Sequence, residues 1–332
     1  MELLKKLTQI TAPSGSEFAI HDAIRKEIEP YVDEIYTDPL NNLIAHKKGN
    51  GKRAMVCAHA DEIGVMATYI EDNGYIKFIN VGGVDKFAAL YQRVRFGNGT
   101  VGVVSYEPKS EGIKALTAND LYIDIGALTR EEAEKKVSVG DVAAFCGDLE
   151  IAGDNIISKA LDDRVAVYIM IDVIKNLKKS PYDLYFVFTS QEEVGTRGAK
   201  GSSFDIEPDV AVAIDVTDTG DTPGCPRMAV KLGGGACIKV IDDSVICSKS
   251  VRDHMTKLAE EKDIKVQYEV LQRGGTDAGP INVSRGGVLT GGVSIPTRYI
   301  HTPCEMVNKN DVNECIRLVS AFLENDMESE NK

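Results

Sequence analysis

The sequence contains no tryptophan, few other aromatic residues and no long apolar segment. Phe, Tyr and Trp together make up 6% of its 332 residues. The most apolar segment, Val165 to Ile174, is shorter than the roughly 20 residues of a membrane-spanning helix and is interrupted by Asp172. Residues 1–6 open an amphipathic helix and lack the apolar run and cleavage site of a signal peptide. We therefore predict a cytoplasmic protein with no membrane partner.

Basic side chains are outnumbered by acidic ones. The chain has 38 Lys and Arg against 51 Asp and Glu, which gives a net charge of −13. A surface of this sign repels phosphate backbones and anionic lipids unless basic residues are concentrated in one patch. The dense basic runs, Lys47–Arg53 and Lys178–Lys179, are typical of a solvated loop and a helix end. We therefore predict that the protein has no nucleic-acid partner.

Cysteine is present without a pattern that would form disulfides or a zinc ribbon. The seven cysteines are odd in number, scattered along the chain and free of any C-x-x-C pair. This usage fits reduced thiols in a cytosol better than a disulfide framework.

Strands and helices alternate in the first and last parts of the chain. The strand-like segments near its start are 32–37, 42–46 and 53–58. From Asp162 onward, helices at 164–178, 198–203, 250–262 and 310–325 alternate with strands at 183–188, 209–214, 265–270 and 288–294. This order predicts an α/β fold with a mixed, largely parallel sheet and helices on both faces.

The segment between these two parts has a different pattern. Short alternating strands separated by Asn-Gly and Gly-Gly turns predict a small antiparallel barrel or sandwich, and only residues 129–136 in this stretch resemble a helix. A chain of this length also exceeds what one hydrophobic core usually supports. We therefore predict a catalytic domain of residues 1–64 and 159–332 with an inserted β-rich domain at residues 65–158.

Candidate catalytic and metal-binding residues follow the predicted strands. Ligands of open α/β sheets bind beyond the carboxyl ends of the strands, so polar residues at these places carry weight. The candidates are His59 and Asp61 after the strand at 53–58, Asp162 and Asp163 before a helix, Glu192 and Glu193 after the strand at 183–188, Asp215 in an apolar run, and His301 after the strand at 288–294.

Each of these signals is weak when it is taken alone. Asp162 and Asp163 could cap a helix, the Glu192–Glu193 pair could be a solvated acidic turn, and a single histidine such as His301 is usually structural. Asp215 is the most unusual residue, because a buried carboxylate needs a positive partner. Together, two imidazoles and several carboxylates are what a two-metal hydrolytic site requires.

The same motifs resemble those of the M42 family of metallo-aminopeptidases, over essentially the full chain. The matching segments are His59-Ala-Asp61, Leu161-Asp-Asp-Arg164, Gln191-Glu-Glu-Val-Gly195, Ile214-Asp215 and Tyr299-Ile-His301-Thr. The resemblance implies an aminopeptidase that acts on short peptides. It also implies that two divalent ions activate the water that attacks the peptide.

Roles for individual residues are implied by the same resemblance. Asp162 would bridge the two ions, with Glu193 and His301 completing one site and His59 and Asp215 the other. Glu192 would be the general base. Asp61 would orient His59 by holding the nitrogen that faces away from the metal, an arrangement that residues two apart on a strand allow. The loop Gly274, Gly275, Thr276 and Asp277 would line the substrate pocket.

The ligand types limit which metal ions the site would bind, and the family resemblance implies an oligomeric assembly. Mixed histidine and carboxylate ligands suit zinc or cobalt, and also manganese. The family resemblance implies dimers that assemble further into a tetrahedral dodecamer. We predict that the inserted domain, which contributes no candidate ligand, makes the contacts between subunits.

Two other function classes compete with the aminopeptidase. A glycoside hydrolase could use Glu192 and Asp162 as acid and base, and some relatives carry an endoglucanase label. The absence of Trp disfavours it, because sugar clefts usually stack on aromatic rings. A non-enzymatic assembly protein with a structural metal is the second alternative, but structural zinc sites usually have closed Cys and His ligand sets.

Overall fold

The computed structural model describes residues 1–110 and 112–327. The helices of this part are α1 (Glu2–Gln9), α2 (Phe18–Ile28), α3 (Lys86–Ala89), α4 (Arg130–Glu134), α5 (Leu161–Asn176), α6 (Arg197–Ile206), α7 (Lys249–Glu261), α8 (Ala278–Asn282) and α9 (Lys309–Glu324). Short 3-10 helices lie at Glu29–Tyr31, Ile113–Ala115 and Ala118–Asp120. Within these ranges, none of the helices combines the length and apolar character that crossing a membrane would need.

The strands of the same residues form two separate sheets. The strands are β1 (Glu34–Thr37), β2 (Leu43–Lys47), β3 (Arg53–His59), β4 (Gly64–Ile70), β5 (Ile76–Val81), β6 (Arg93–Phe96), β7 (Val101–Tyr106), β8 (Leu121–Asp124), β9 (Val142–Phe145), β10 (Glu150–Ala152), β11 (Asn155–Ser158), β12 (Asp183–Thr189), β13 (Val210–Thr217), β14 (Ala236–Ile241), β15 (Val266–Val270), β16 (Leu289–Arg298) and β17 (Glu305–Asn308).

The larger sheet confirms the predicted α/β fold. Its strand order is β1-β2-β12-β3-β13-β16-β17-β11-β10, and β14 pairs with β16 and with β15. Strands β12, β3, β13 and β16 run parallel in the centre of the sheet. The strands on either side of them pair antiparallel, except that β15 pairs parallel with β14. The sheet is therefore mixed, and the carboxyl ends of its four central strands lie along one edge.

Strand β3 shows why the central strands are apolar throughout. Its residues alternate between two cores: Ala54, Val56 and Ala58 belong to the larger one, and Met55 and Cys57 to the smaller one. The larger core includes side chains of α1, α2, α5, α7 and α9, and the smaller one includes side chains of α6 and α8. A strand covered by helices on both faces needs apolar residues at every position, which is the pattern that the sequence shows.

The smaller sheet is a closed barrel with the order β4-β5-β8-β7-β6-β9. It has its own hydrophobic core, which includes Val65, Phe78, Val94 and Phe145. The sequence left a barrel and a sandwich open, because alternation alone does not show which strands pair. Pairing of β4 with β9, in the register Gly64 opposite Ala144, closes the barrel.

Residues 150–158, which the sequence predicts to belong to the insertion, pair with strands of the main sheet. Strands β10 and β11 pair with each other, and β11 pairs with β17 of that sheet. In the sequence, the alternation of these short strands resembles that of the barrel strands. We propose that residues 64–145 are the inserted unit and that the rest of the described chain forms the catalytic unit.

Candidate metal centre

The central strands bring the distant candidate residues together at one edge of the sheet. His59 is the last residue of β3, Glu192 and Glu193 follow β12, and His301 follows β16. Asp215 lies near the end of β13, and Asp162 lies at the start of α5. Since β12, β3, β13 and β16 are parallel, their carboxyl ends place residues from four parts of the sequence around one cavity, and the start of α5 adds the fifth.

The carboxylate of Asp162 lies at the centre of this cluster. One oxygen, Oδ1, is 2.9 Å from Nε2 of His59, and the other, Oδ2, is 3.3 Å from Nε2 of His301. The same His301 nitrogen is 3.1 Å from Oε2 of Glu193. The two oxygens of one carboxylate therefore face two different imidazoles, as a carboxylate that bridges two ions would.

A second group of potential ligands shares His59. Its Nε2 is 3.9 Å from Oδ1 of Asp215, and one ligand atom each of His59, Asp163 and Asp215 lie within 4.8 Å of one another. Asp163 is completely buried, and its Oδ2 accepts a hydrogen bond from the backbone N–H of His59. The sequence analysis gave Asp163 no role, although its position beside Asp162 was a signal.

The cluster holds more negative charge than its two imidazoles can balance. Burial, together with the neighbouring carboxylates, raises the pKa of Glu192 and of Asp215 well above the usual range. Burial alone would also raise the pKa of Asp162, but His301 and His59 hold it below its ordinary value. Conversely, carboxylate neighbours outweigh burial at His301 and raise its pKa to about 12. The cluster thus contains more buried carboxylates than imidazoles, and bound cations would favour their charged forms.

The Asp61 carboxylate contacts the backbone of the Glu192–Glu193 loop and lies somewhat further from the His59 imidazole. Nδ1 of His59 lies 3.2 Å from the backbone oxygen of Asp61 and 3.6 Å from its carboxylate Oδ1. The carboxylate accepts hydrogen bonds from the backbone N–H groups of Glu192 and Glu193, at 3.1 and 3.2 Å, and from the Ser14 hydroxyl at 2.6 Å. Asp61 therefore fixes the two glutamates as well as His59.

We expect Asp61→Ala to lower metal affinity or kcat/KM by roughly 10- to 100-fold, the usual effect of removing a group that orients ligands. The fold should persist, because the variant loses only one carboxylate and its contacts. Metal titration and steady-state kinetics measure the two effects, with Asp22→Ala on the surface of α2 as the control. A fully active Asp61→Ala variant with normal metal affinity would refute this role.

Glu305, on β17, connects two of the candidate ligands and was missed from the sequence. Its Oε2 accepts the backbone N–H of Asp162 at 2.9 Å, and its Oε1 accepts that of His301 at 3.0 Å. The residue is 2% exposed. A single glutamate in a four-residue strand gave no signal in the sequence.

The inserted barrel also reaches the centre through a Gly-Gly turn after β5. A Cβ atom on Gly83 would lie 2.7 Å from Nδ1 of His301, and one on Gly82 would lie 3.1 Å from Cβ of Glu193. Real Cβ atoms are not found as close as the first of these distances. The turn therefore packs directly against the His301 ring, although the barrel itself contributes no candidate ligand.

A cavity of about 650 Å³ lies over the cluster. It is lined by His59, Asp162, Glu192, Glu193, Asp215 and His301, and its far wall includes Ser244, Gly274, Gly275 and Thr276. Asp277 lies behind this wall, where burial raises its pKa to about 6 and its Oδ2 accepts the Thr189 hydroxyl at 2.5 Å. Three of the four residues predicted to line the pocket therefore face it, and Asp277 does not.

The donor set fits divalent metal ions. Imidazole nitrogens and carboxylate oxygens are the ligands that zinc, cobalt and manganese accept. Oε1 of Glu193 is buried without a hydrogen-bond partner in the part of the chain that the structure describes, which suits an oxygen that would bind an ion. His59, Asp162 and Glu193 also place one ligand atom each within 4.8 Å of one another.

Comparison with known proteins places this fold and cluster in one class, the peptide-bond hydrolases of the aminopeptidase type. The family model described as M42 glutamyl aminopeptidase matches residues 41–318. A relative in Acetivibrio thermocellus is 52% identical over 318 residues, which cover 96% of each chain. The chain therefore belongs to the M42 family, as its motifs predict.

Solved structures agree with this assignment. An aminopeptidase from the archaeon Desulfurococcus kamchatkensis superposes with a TM-score of 0.94 at 39% identity, over 98% of this chain and 94% of its own. The TET1 peptidase of Pyrococcus horikoshii, which can assemble into a tetrahedron or a large octahedral shell, has a TM-score of 0.87 at 34% identity, with 97% and 98% covered. Family and fold together support aminopeptidase activity for this chain.

Proposed function

We propose that the protein removes N-terminal residues from short peptides at a centre that holds two divalent ions. The observation that carries the proposal is the contrast between two adjacent glutamates. Glu193 contacts His301 and belongs to the ligand cluster, whereas Glu192 lines the cavity and has no ion-pair or hydrogen-bond partner for its carboxylate within residues 1–110 and 112–327. This contrast supports a metal-binding role for Glu193 and a proton-transfer role for Glu192.

The residues divide the chemistry between them. Asp162 would contribute to both metal sites. Glu193 and His301 would complete one of them. His59 and Asp215 would complete the other, with Asp163 as a further candidate ligand beside Asp215. When bound, the ions would polarise the scissile carbonyl and lower the pKa of a water molecule. Glu192 takes the proton from that water and later delivers it to the nitrogen of the leaving amine.

The cavity also favours a free N-terminus over an internal peptide bond. Asp218, a carboxylate that is not among the proposed metal ligands, lines it, so a protonated α-amine entering there would meet a negatively charged partner. An acylated N-terminus carries no charge and gains nothing from this partner. The preference supports cleavage from the end of a peptide.

Removal and restoration of metal tests this proposal. We expect complete chelation to abolish peptide hydrolysis, and addition of zinc, cobalt or manganese to restore it. The glycoside hydrolase alternative predicts instead that hydrolysis of cellulose survives chelation. Its support is weak, because no Phe, Tyr or Trp side chain lines the cavity within the described residues. The free Glu192 likewise argues against an assembly protein with a purely structural metal.

We also propose that the protein is a homo-oligomer, a tetrahedral dodecamer built from dimers, because the TET1 relative can assemble into a tetrahedron. The inserted barrel would supply contacts, since it exposes large apolar side chains in several places. Ile79 is 52% exposed, Phe87 51%, Val139 62% and Leu128 81%. Exposed apolar side chains of this size are what an interface between subunits would cover.

Deleting the barrel tests its role in assembly. Gly64 and Ala144 are paired neighbours, so a short linker can replace the residues between them without stretching the main sheet. Light scattering should show an oligomer for the intact protein and a smaller species for the deletion variant. A monomeric intact protein, or an unchanged oligomer after deletion, would refute the role.

A further inference from the structure

A buried lysine lies behind the wall of the cavity formed by Ser244 and Gly274–Thr276. Lys239, on β14, is 1% exposed, and its ammonium group is hydrogen-bonded to Glu269 of β15 and lies 3.2 Å from Oδ2 of Asp242. Burial alone would lower the pKa of Lys239, but the charges of Glu269 and Asp242 raise it above its usual range. The ammonium group therefore stays charged, and it depends on both carboxylates.

Asp242 connects this lysine to the wall of the cavity. Its Oδ1 accepts the backbone N–H of Ser244 at 2.8 Å and the Ser244 hydroxyl at 2.7 Å, and its Oδ2 accepts the Thr276 hydroxyl at 3.2 Å. The backbone N–H of Asp243 donates to the oxygen of Gly274 at 3.0 Å. The Asp242 carboxylate, which is paired with Lys239, therefore joins two separate loops.

The packing leaves the loops little freedom to move apart or together. A Cβ atom on Gly275 would lie 3.0 Å from Cβ of Ser244, and one on Gly279 would lie 2.6 Å from it. On the other side, a Cβ atom on Gly292 would lie 2.9 Å from Cβ of Lys239. Glycine at these positions therefore lets the two loops and Lys239 approach more closely than a larger residue would allow. The position of Asp242 thus determines the position of the wall.

We propose that Lys239 is a positioning residue which, through Asp242, holds this wall in the shape that binds the N-terminal part of a peptide substrate. The proposal rests on the aminopeptidase function proposed above. The ion pairs of Lys239 in the described chain are with Asp242 and Glu269 and involve neither Glu192 nor a proposed metal ligand, although its charge also lowers the pKa of Asp215. Its loss should therefore weaken substrate binding and leave the proton transfer by Glu192 in place.

The test compares two variants. Lys239→Met alone would leave Glu269 buried without its partner and is expected to lose stability. The double variant Lys239→Met/Glu269→Gln removes the charges of Lys239 and Glu269 together, so its stability should recover in part, since Asp242 loses its cation but keeps its hydrogen bonds from Ser244 and Thr276. Glu269→Gln alone keeps the contact between Lys239 and Asp242 and is the matched control. We expect the double variant to bind metal normally and to show KM raised about tenfold with kcat changed by less than about threefold, while the control resembles the wild type.

Hydrogen exchange supplies a readout that does not depend on activity. The backbone amides of 243–245 and 274–276 should exchange at least about tenfold faster in the double variant than in Glu269→Gln or the wild type. Faster exchange supports the positioning role even if the intact protein fails to cleave unblocked peptides, a result that would refute only the proposed function. Unchanged exchange, or an unchanged KM in a folded double variant with normal metal content, would overturn the inference.

Discussion

A Glu192→Gln variant should retain its metal and lose about 10²- to 10⁴-fold in kcat, the range that a positioned general base contributes. The substitution keeps the shape of the side chain and removes its ability to accept a proton. Glu192 lines the cavity and forms none of the contacts that join the ligand cluster. Metal analysis of the purified variant and steady-state kinetics on an unblocked peptide measure the two expectations.

Glu193→Gln is the matched control, since it makes the same change one residue further along. Its Oε2 lies 3.1 Å from Nε2 of His301, within the proposed ligand cluster. We expect this variant to bind metal more weakly and to recover part of its activity at high metal concentration. If Glu192→Gln lost its metal while Glu193→Gln kept it, the two roles would have to be exchanged.

The second large effect is expected on stability, from Glu62. This carboxylate is 3% exposed and binds two buried cations: Lys159 at 2.5 Å and Arg164 at 3.4 Å. It also accepts the backbone N–H of Ala12 at 2.9 Å. Glu62→Gln would leave two buried positive charges without their partner, and we expect the free energy of unfolding to fall by about 3–5 kcal/mol. Urea denaturation at one fixed protein concentration measures it.

An exposed ion pair supplies the control for this measurement. Lys249 and Asp253 are paired on the surface of α7, where their side chains are 78% and 54% exposed. Asp253→Asn should therefore leave the unfolding transition almost unchanged, because water screens such pairs. A Glu62→Gln variant as stable as Asp253→Asn would show that the buried network contributes little.

The central sheet could be predicted from the sequence because its strands are buried on both faces. Continuous apolar runs such as those of β3 and β13 are followed by polar residues, and parallel strands bring these ends to one edge. This reasoning placed His59, Asp215 and the Glu192–Glu193 pair together before any geometry was known. Their proximity in the fold follows from the topology, whereas their proposed roles await the experiments described above.

Other features could not be predicted because they depend on pairing between distant strands. Strands β10, β11 and β17 have three or four residues each, too few for alternation to distinguish them from the barrel strands. Glu305 lies on β17, so its contacts with the backbone of Asp162 and His301 were hidden for the same reason. Likewise, nothing local to Gly83 indicates that it packs against an imidazole more than 200 residues further along the chain.

Asp61 makes contacts that its position in the sequence does not indicate. Spacing two residues from His59 predicted a contact between carboxylate and imidazole. In the fold, the carboxylate is nearer to the backbone N–H groups of Glu192 and Glu193 than to the ring. The Glu192–Glu193 turn is more than 100 residues away in sequence and became a neighbour only through the pairing of β12 with β3.

The most direct test of the central claim compares one peptide with a free N-terminus and the same peptide with an acetylated N-terminus. Release of the first amino acid is measured with the metal-loaded protein and again after complete chelation. We predict release from the free peptide by the metal-loaded protein, and no release from the acetylated peptide or after chelation. Equal rates on the two peptides, or an undiminished rate without metal, would contradict a metal-dependent aminopeptidase.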